Sequence, residues 1–284
     1  MGKGVDVMEI SHRVSFNAGA KPDFKAALDD MGVEYKIAPL PGQSSGLVYL
    51  DITESDKLWI QVKELIQAKG ASDVYNTMFT SEEILNAEWI RLMPVFEQGY
   101  PQPENTMAWK EFTYQNGCTE CGVDYRQKAP FRLKKEPRLG KHDFLCLFWT
   151  YTVFCTPNAL AVLEAHRIQG YEVWDAILHR TNQPSQEVSQ LVFSQVAKLG
   201  LASEDQLQPQ VCQQCGITKY AYHKRGYMHL RKDSLLPDTD IQLTSEWFGS
   251  GRSGFREILI SNRLAQLILE NKWRGVSLKP IELI

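Results

Sequence analysis

An α+β architecture is predicted by three features of this 284-residue chain. Apolar runs over the first 80 or so residues follow the order strand, helix, strand, strand, helix, strand. Two matched stretches, Cys118-Thr119-Glu120-Cys121-Gly122 and Cys212-Gln213-Gln214-Cys215-Gly216, use four of the six cysteines. A helix, a glycine and a strand then close the chain. Together they predict a ferredoxin-like α+β domain over residues 1–103, followed by a zinc-ribbon α+β domain over 104–284 that carries a long insertion, 123–211, between the two cysteine turns. At 43% hydrophobic content the chain can fill two such cores.

Taken in order, Val5 to Phe16 alternates enough to form a strand. Pro22 suits a first helical turn, Phe24, Leu28 and Met31 share one helical face, and Gly32 stops it. Val33, Tyr35 and Ile37 alternate, Pro39-Leu40-Pro41-Gly42 breaks the chain, and Leu47 to Ile52 is a second apolar strand interrupted by Asp51. Leu58, Val62, Leu65 and Ile66 mark a longer helix ending near Gly70, and Val74 to Phe79 returns as a strand. Ser81 with Glu82 and Glu83 starts a helix, and Trp89 to Phe96 is apolar again. The cluster Gly99-Tyr100-Pro101-Gln102-Pro103 is the expected domain boundary, and Trp109 to Tyr114 the strand leading into the first cysteine turn.

In each cysteine stretch two residues separate the sulfurs, so one tight turn aims both thiolates at a single ion, and the following glycine permits a left-handed backbone. Cys118, Cys121, Cys212 and Cys215 therefore read as a closed four-thiolate site for one structural Zn²⁺ per chain. The alternative is four separate buried or disulfide-bonded cysteines, which repetition of the whole unit disfavours. Because 90 residues separate Cys121 from Cys212, the fold must bring the turns together, and the intervening segment is expected to be a domain of its own. The most apolar stretch, Phe144 to Cys155, has 12 residues, short of a membrane span, and reads as one or two core strands holding Cys146 and Cys155 as buried thiols.

The net charge of −3 is uneven: residues 1–115 hold 10 Lys and Arg against 17 Asp and Glu. Two basic segments flank the cysteine turns. Arg126, Lys128, Arg132, Lys134, Lys135, Arg138 and Lys141 follow the first, and Lys219-Tyr220-Ala221-Tyr222-His223-Lys224-Arg225 follows the second. Of these, Arg132, Lys134, Lys135, Arg138, Lys224 and Arg225 are the candidates for a phosphate-binding surface, against the plainer reading of a solvated face. A weak repeat runs through the second half. Asn158 to Leu163 leads to Gly170 and Val173, and Asn262 to Leu267, with Ser261 as a cap, leads to Gly275 and Leu278. Glu246 to Gly251 reads as a strand end with a flexible turn whose Trp247 and Phe248 either contact a partner or pack.

The two Cys-x-x-Cys-Gly turns resemble those of the double-CXXCG-motif family of myxobacteria and related bacteria. So do the stretches Glu246-Trp247-Phe248-Gly249-Ser250-Gly251, Leu259-Ile260-Ser261-Asn262-Arg263, Lys272-Trp273-Arg274-Gly275-Val276 and Pro280-Ile281-Glu282-Leu283. The resemblance covers roughly residues 109–284 and does not extend over 1–108. It implies zinc bound by Cys118, Cys121, Cys212 and Cys215, and a protein that binds another protein, since some members of that family are immunity proteins. The expected function is thus a zinc-stabilised protein-binding module, an immunity-type antitoxin that blocks a bacterial toxin, and the acidic front half suits a basic toxin. A nucleic-acid-binding zinc-ribbon protein is the alternative.

Catalysis is not expected. None of the six histidines has metal-hydrolase spacing, and neither a phosphate loop nor a dinucleotide fingerprint is expected. His142-Asp143 near Cys146 is the most suggestive grouping, but apolar surroundings make that thiol inert. After Lys3 there is no apolar stretch, and Asp6 stands where myristoylation takes Ser or Thr, so a cytoplasmic protein with no membrane partner is expected.

Overall fold

The computed structural model describes residues 8–42, 45–202 and 207–284. They form two compact units: residues up to Thr80 with Lys224–Gly226, and Ser81–His223 with Tyr227–Ile284. The class is α+β, with mostly sheets and, among the described residues, six α-helices.

The first unit runs β1 (Glu9–Asn17), α1 (Pro22–Asp30), β2 (Lys36–Ala38), β3 (Leu47–Thr53), α2 (Trp59–Lys69) and β4 (Ser72–Met78). Residues 5–7 of the expected first strand lie outside the described residues. The strands form one sheet in the order β2-β3-β1-β4, every neighbour antiparallel. Alternation along β1 and β3 buries Val14, Phe16, Val48, Leu50 and Ile52 against Phe24 and Leu28 of α1 and Trp59 and Val62 of α2. On the opposite face Asp51 accepts a two-pronged bond from Arg13, so the polar interruption of β3 points outward.

In the second unit the chain passes through α3 (Ser81–Asn86), β5 (Trp89–Pro94), α4 (Trp109–Thr113), β6 (Tyr114–Gln115), β7 (Arg126–Gln127), β8 (Arg132–Leu133), β9 (Phe144–Leu145), β10 (Val153–Cys155), α5 (Pro157–Ala165) and β11 (Glu172–Leu178). It continues through β12 (Pro184–Val192), β13 (Gln210–Val211), β14 (Thr218–Tyr220), β15 (Met228–Leu230), β16 (Ile241–Leu243), β17 (Trp247–Phe248), β18 (Ile258–Ser261), α6 (Asn262–Glu270) and β19 (Val276–Leu283). Two five-stranded sheets result, β8-β11-β12-β10-β9 and β15-β19-β5-β18-β16. Each has one parallel outer pair, β8 with β11 and β15 with β19, and is otherwise antiparallel.

The sheets are two copies of one pattern with their central strands exchanged. Strand β5, which precedes the first cysteine turn, centres the sheet that follows the second, and β12, which precedes the second turn, centres the sheet that follows the first. The repeat legible at the two helices is matched in detail. Thr156 and Ser261 cap α5 and α6 with ψ of 156° each, and Arg167 and Lys272 take φ of 52° and 53°. Gly170 and Gly275 follow at 100° and 101°. A Cβ on Gly170 would lie 2.1 Å from the Ile241 carbonyl oxygen, and on Gly275 2.0 Å from that of Phe144. Each copy's glycine thus presses on the other copy's edge strand, where only a bare backbone fits. The Asp240 carboxylate accepts from the Gln169 N–H, and that of Asp143 from the Arg274 N–H.

Three expectations are corrected by this weave. Residues 81–98 belong to the second unit and not to a 1–103 domain, because β5 pairs with β18 and β19 and the Asn262 side-chain amide donates to the carbonyls of Leu85 and Ala87 on α3 and its exit. The Gly99–Pro103 cluster therefore lies inside that unit. Segment 123–211 builds one sheet but no compact unit of its own. Trp109 to Thr113 is helical and not a strand: Trp109 and Thr113, four residues apart, are buried while Phe112 faces out. Five residues are too few to display that period unambiguously.

Candidate metal centre and the cleft beside it

Each cysteine turn sits at the end of a short antiparallel ribbon, β6 with β7 and β13 with β14. The two turns use the same bonds. Cys118 N–H donates to Val123 O and Gly122 N–H to Cys118 O, and Cys212 N–H donates to Ile217 O and Gly216 N–H to Cys212 O. Gly122 and Gly216 close them at φ of 76° and 72°. Cys118 and Cys212 sulfurs lie 3.8 Å apart, Cys121 and Cys215 sulfurs 3.6 Å apart, and all four within 4.8 Å of one another. The four cysteines could hold one metal ion, with Cys118 and Cys121 buried and Cys215 on the solvent side.

Burial pushes the Cys121 thiol up to about 12, whereas the backbone N–H groups of Cys215 and Gln214 draw Cys212 down to about 7. A divalent cation would displace the protons from such a set, because a coordinated thiol is deprotonated. Val123, Ile217 and Trp247 pack around the sulfurs. Lys219 sits beneath, almost wholly buried, its Nζ donating to the carbonyls of Cys121 (2.8 Å), Gly251 (2.6 Å) and Ser253 (3.2 Å). One ammonium thereby ties the first cysteine turn to the loop after β17.

That loop borders a cleft of about 1020 Å³. Residues from both repeats line it, among them Trp109, Lys110, Trp149, Tyr151, Tyr222 and Arg252. Arg256 also lines it, its guanidinium 4.6 Å from the centre of the Trp247 ring. Behind the wall runs a buried polar chain. The Tyr151 hydroxyl donates to Glu257 (2.9 Å), Arg91 Nη1 donates to the same carboxylate (3.0 Å), and Arg91 Nη2 donates to His223 Nδ1 (3.1 Å). Burial, with the charge of Arg91 next, depresses the His223 pKa to about 3, so the ring is neutral, accepting at Nδ1 and carrying its proton on Nε2.

The remaining candidate residues are dispersed. Lys134, Lys135 and Arg138 are exposed on the second unit and Arg132 is half-buried there, its guanidinium donating to Asn182. Lys224 and Arg225 belong to the first unit, where Arg225 pairs with Glu54. Phe248 is fully buried in the core with Leu259 and Phe255 and so is no contact surface, while Trp247 is half-buried against the cysteines. In the grouping around His142, the ring stacks on Phe96 and Nδ1 donates to Leu139 O, and Asp143 serves the Arg274 N–H. Burial pushes the thiols of Cys146 and Cys155 to about 12. Sequence reading missed the role of Lys219, grouped there with the second basic segment, and the Gly-x-Gly-x-x-Gly spacing of Gly249, Gly251 and Gly254, of which only Glu246 to Gly251 was taken, as a strand end with a flexible turn. The tell-tale for both was their position beside a cysteine turn or between two aromatic strand ends.

No helix among the described residues is long and apolar enough to cross a membrane. Compared with known protein families, the chain matches no family model, and a comparison with curated proteins likewise finds no match.

Proposed function

We propose that this chain is a zinc-stapled protein-binding module of the immunity type, which neutralises a bacterial toxin by occupying its surface. The observation that carries the reading is the spacing of the four sulfurs. A tetrahedron with Zn–S bonds of about 2.3 Å has edges of about 3.8 Å, and the recorded sulfur pairs lie at 3.8 and 3.6 Å. Four thiolates leave no coordination position for substrate, so such an ion serves the fold and the function falls to surfaces. Reduced thiols suit a reducing cytoplasm. The acidic residues 1–115 favour a basic partner, and the 4-1-3-2 antiparallel order of the first unit supports a ferredoxin-like sandwich there.

The test has two parts. Elemental analysis of the purified protein, with thiol titration under denaturing, chelating conditions, is expected to give one zinc and six thiols per chain; two disulfides and no metal would overturn the staple. Co-expression with a toxic neighbouring gene product is expected to restore growth and yield a stoichiometric complex by size-exclusion chromatography. Failure of both rescue and complex formation would overturn the immunity reading.

A further inference from the structure

We propose that the cleft beside the metal centre binds a nucleoside phosphate, its phosphates on the glycine hairpin Gly249–Gly254 and its base among the aromatic side chains of the cleft lining. This goes beyond the immunity reading and does not depend on it.

The hairpin is the first observation. Phe248 and Phe255 exchange both backbone hydrogen bonds, at 2.8 and 3.0 Å, and the six residues between them are Gly-Ser-Gly-Arg-Ser-Gly. Glycine-rich loops of Gly-x-Gly-x-x-Gly spacing between strands cover nucleotide phosphates because nothing but backbone intervenes. Here the bareness is enforced: a Cβ on Gly249 would lie 2.3 Å from the Ser253 carbonyl oxygen, and one on Gly254 2.7 Å from that of Gly122. Lys219 holds the carbonyls of Gly251 and Ser253 on its own side. In a planar trans peptide the N–H points opposite to the preceding carbonyl, so the N–H groups of Arg252 and Gly254 are turned the other way, as anion donors.

Charge is the second observation. Lys110 lines the same cleft with its ammonium 5.8 Å from the Trp109 ring and 5.7 Å from that of Tyr125. Burial and, next, the positive charge of Arg252 lower its pKa. Among the described residues neither Lys110 nor Arg252 has a carboxylate within salt-bridge distance, so a half-buried and an exposed cation line the cleft with no carboxylate paired to either. The carboxylates of the lining are engaged elsewhere or lie by other groups: Asp124 is 3.8 Å from Arg126, Glu172 accepts from Trp174, and Glu97 stands beside Cys146.

The third observation is aromatic. Trp149 is 55% exposed in the cleft wall and holds a left-handed backbone, φ 64°, uncommon for a bulky side chain, in the turn closed by the Thr150 N–H donating to the Leu147 carbonyl. Tyr222 is 42% exposed there, and the Trp109 indole N–H is buried without a partner. Rings of this kind stack on any base. The volume, about 1020 Å³, is at the upper end of small-molecule sites.

The test is a titration of the full chain with each of the four common nucleoside 5′-diphosphates, read by calorimetry and tryptophan quenching, with the matching nucleoside and pyrophosphate as the two halves. At least one diphosphate is expected to bind about tenfold or more tighter than either half. Arg252→Ala, at an exposed hairpin tip, and Lys110→Gln are each expected to weaken it about tenfold with an unchanged melting temperature, and Trp149→Ala to weaken the nucleoside but not pyrophosphate. Absence of binding by all four diphosphates, pyrophosphate binding as tightly as they do, or affinity untouched by both cation variants would each overturn the proposal.

Discussion

His223 makes the stability of the second unit depend on pH in a way that can be worked out in advance. Its ring is 3% exposed and accepts at Nδ1 from the Arg91 guanidinium, and burial, followed by the positive charges of Arg91 and Lys279, lowers its pKa to about 3 from an ordinary 6.5. A histidine depressed in the folded state is protonated first in the unfolded chain. Its contribution is therefore complete above pH 6.5 and lost as pH falls toward 3. Integrating the two titrations gives a loss of about 2 kcal/mol between pH 7.5 and pH 5, a figure insensitive to the native value as long as that lies below about 4. Urea unfolding followed by tryptophan fluorescence is the assay, since Trp59 is the one tryptophan of seven outside the second unit. His223→Asn, whose amide oxygen can take the place of Nδ1 but cannot titrate, is the comparison. Carboxylates and cysteines titrate equally in both proteins and cancel in the difference. The variant is expected to be less stable at pH 7.5 yet to lose about 2 kcal/mol less than wild type on going to pH 5. Equal losses in the two proteins would refute a neutral, buried His223 bonded to Arg91.

Two further outcomes are expected around the cysteines. Gly122 and Gly216 share a positive φ, but a Cβ on Gly122 would lie 2.2 Å from the Arg252 carbonyl oxygen while one on Gly216 meets nothing within 4 Å. Gly216→Ala is thus expected to cost about 1 kcal/mol, and Gly122→Ala more than about 3 kcal/mol. Zinc competition with a chromophoric chelator separates about tenfold from more than hundredfold weakening, and equal effects would contradict the packing of the hairpin on the first turn. Lys219→Met removes the shared donor of three carbonyls and is expected to cost about 2–4 kcal/mol in urea unfolding, whereas Lys135→Met, on the solvent face, stays within about 0.5 kcal/mol.

What could be read from the sequence was whatever short-range chemistry decides. Phe24 and Leu28, four apart after Pro22, place α1, and alternation around Asp51 places β3, because a helix face or a half-buried strand is written in its own period. The cysteine turns were equally legible, since spacing and the trailing glycine are local demands of one ion. Partnership was not legible. Nothing in Trp89–Pro94 says that it centres a sheet with β18 and β19, and that non-local pairing moves the unit boundary away from the conspicuous prolines at 101 and 103. Lys219 failed for a similar reason: a lysine next to tyrosines looks solvated until three carbonyls from distant turns converge on its ammonium.

Strand exchange also accounts for the feature of the sequence that fits a compact ribbon least, the 90 residues between Cys121 and Cys212. Each repeat carries one cysteine turn, so the gap is close to the length of a repeat and not an insertion into a ribbon. Neither repeat can complete its own sheet, because its centre strand is the other's β5 or β12. With two sulfurs from each, an ion at this site would bridge the repeats instead of stabilising either one. It would close a long loop, the case in which a cross-link removes most entropy from the unfolded chain. The same crossing builds the cleft, whose wall takes Glu97 and Cys146 from the first repeat and the corresponding Val196 and Leu243 from the second. The cluster of four cysteines and a pocket shared by the crossing strands are two consequences of one topology, and Lys219, bonded at once to Cys121 and to the cleft's glycine hairpin, is the contact through which loss of an ion held by the first would loosen the second.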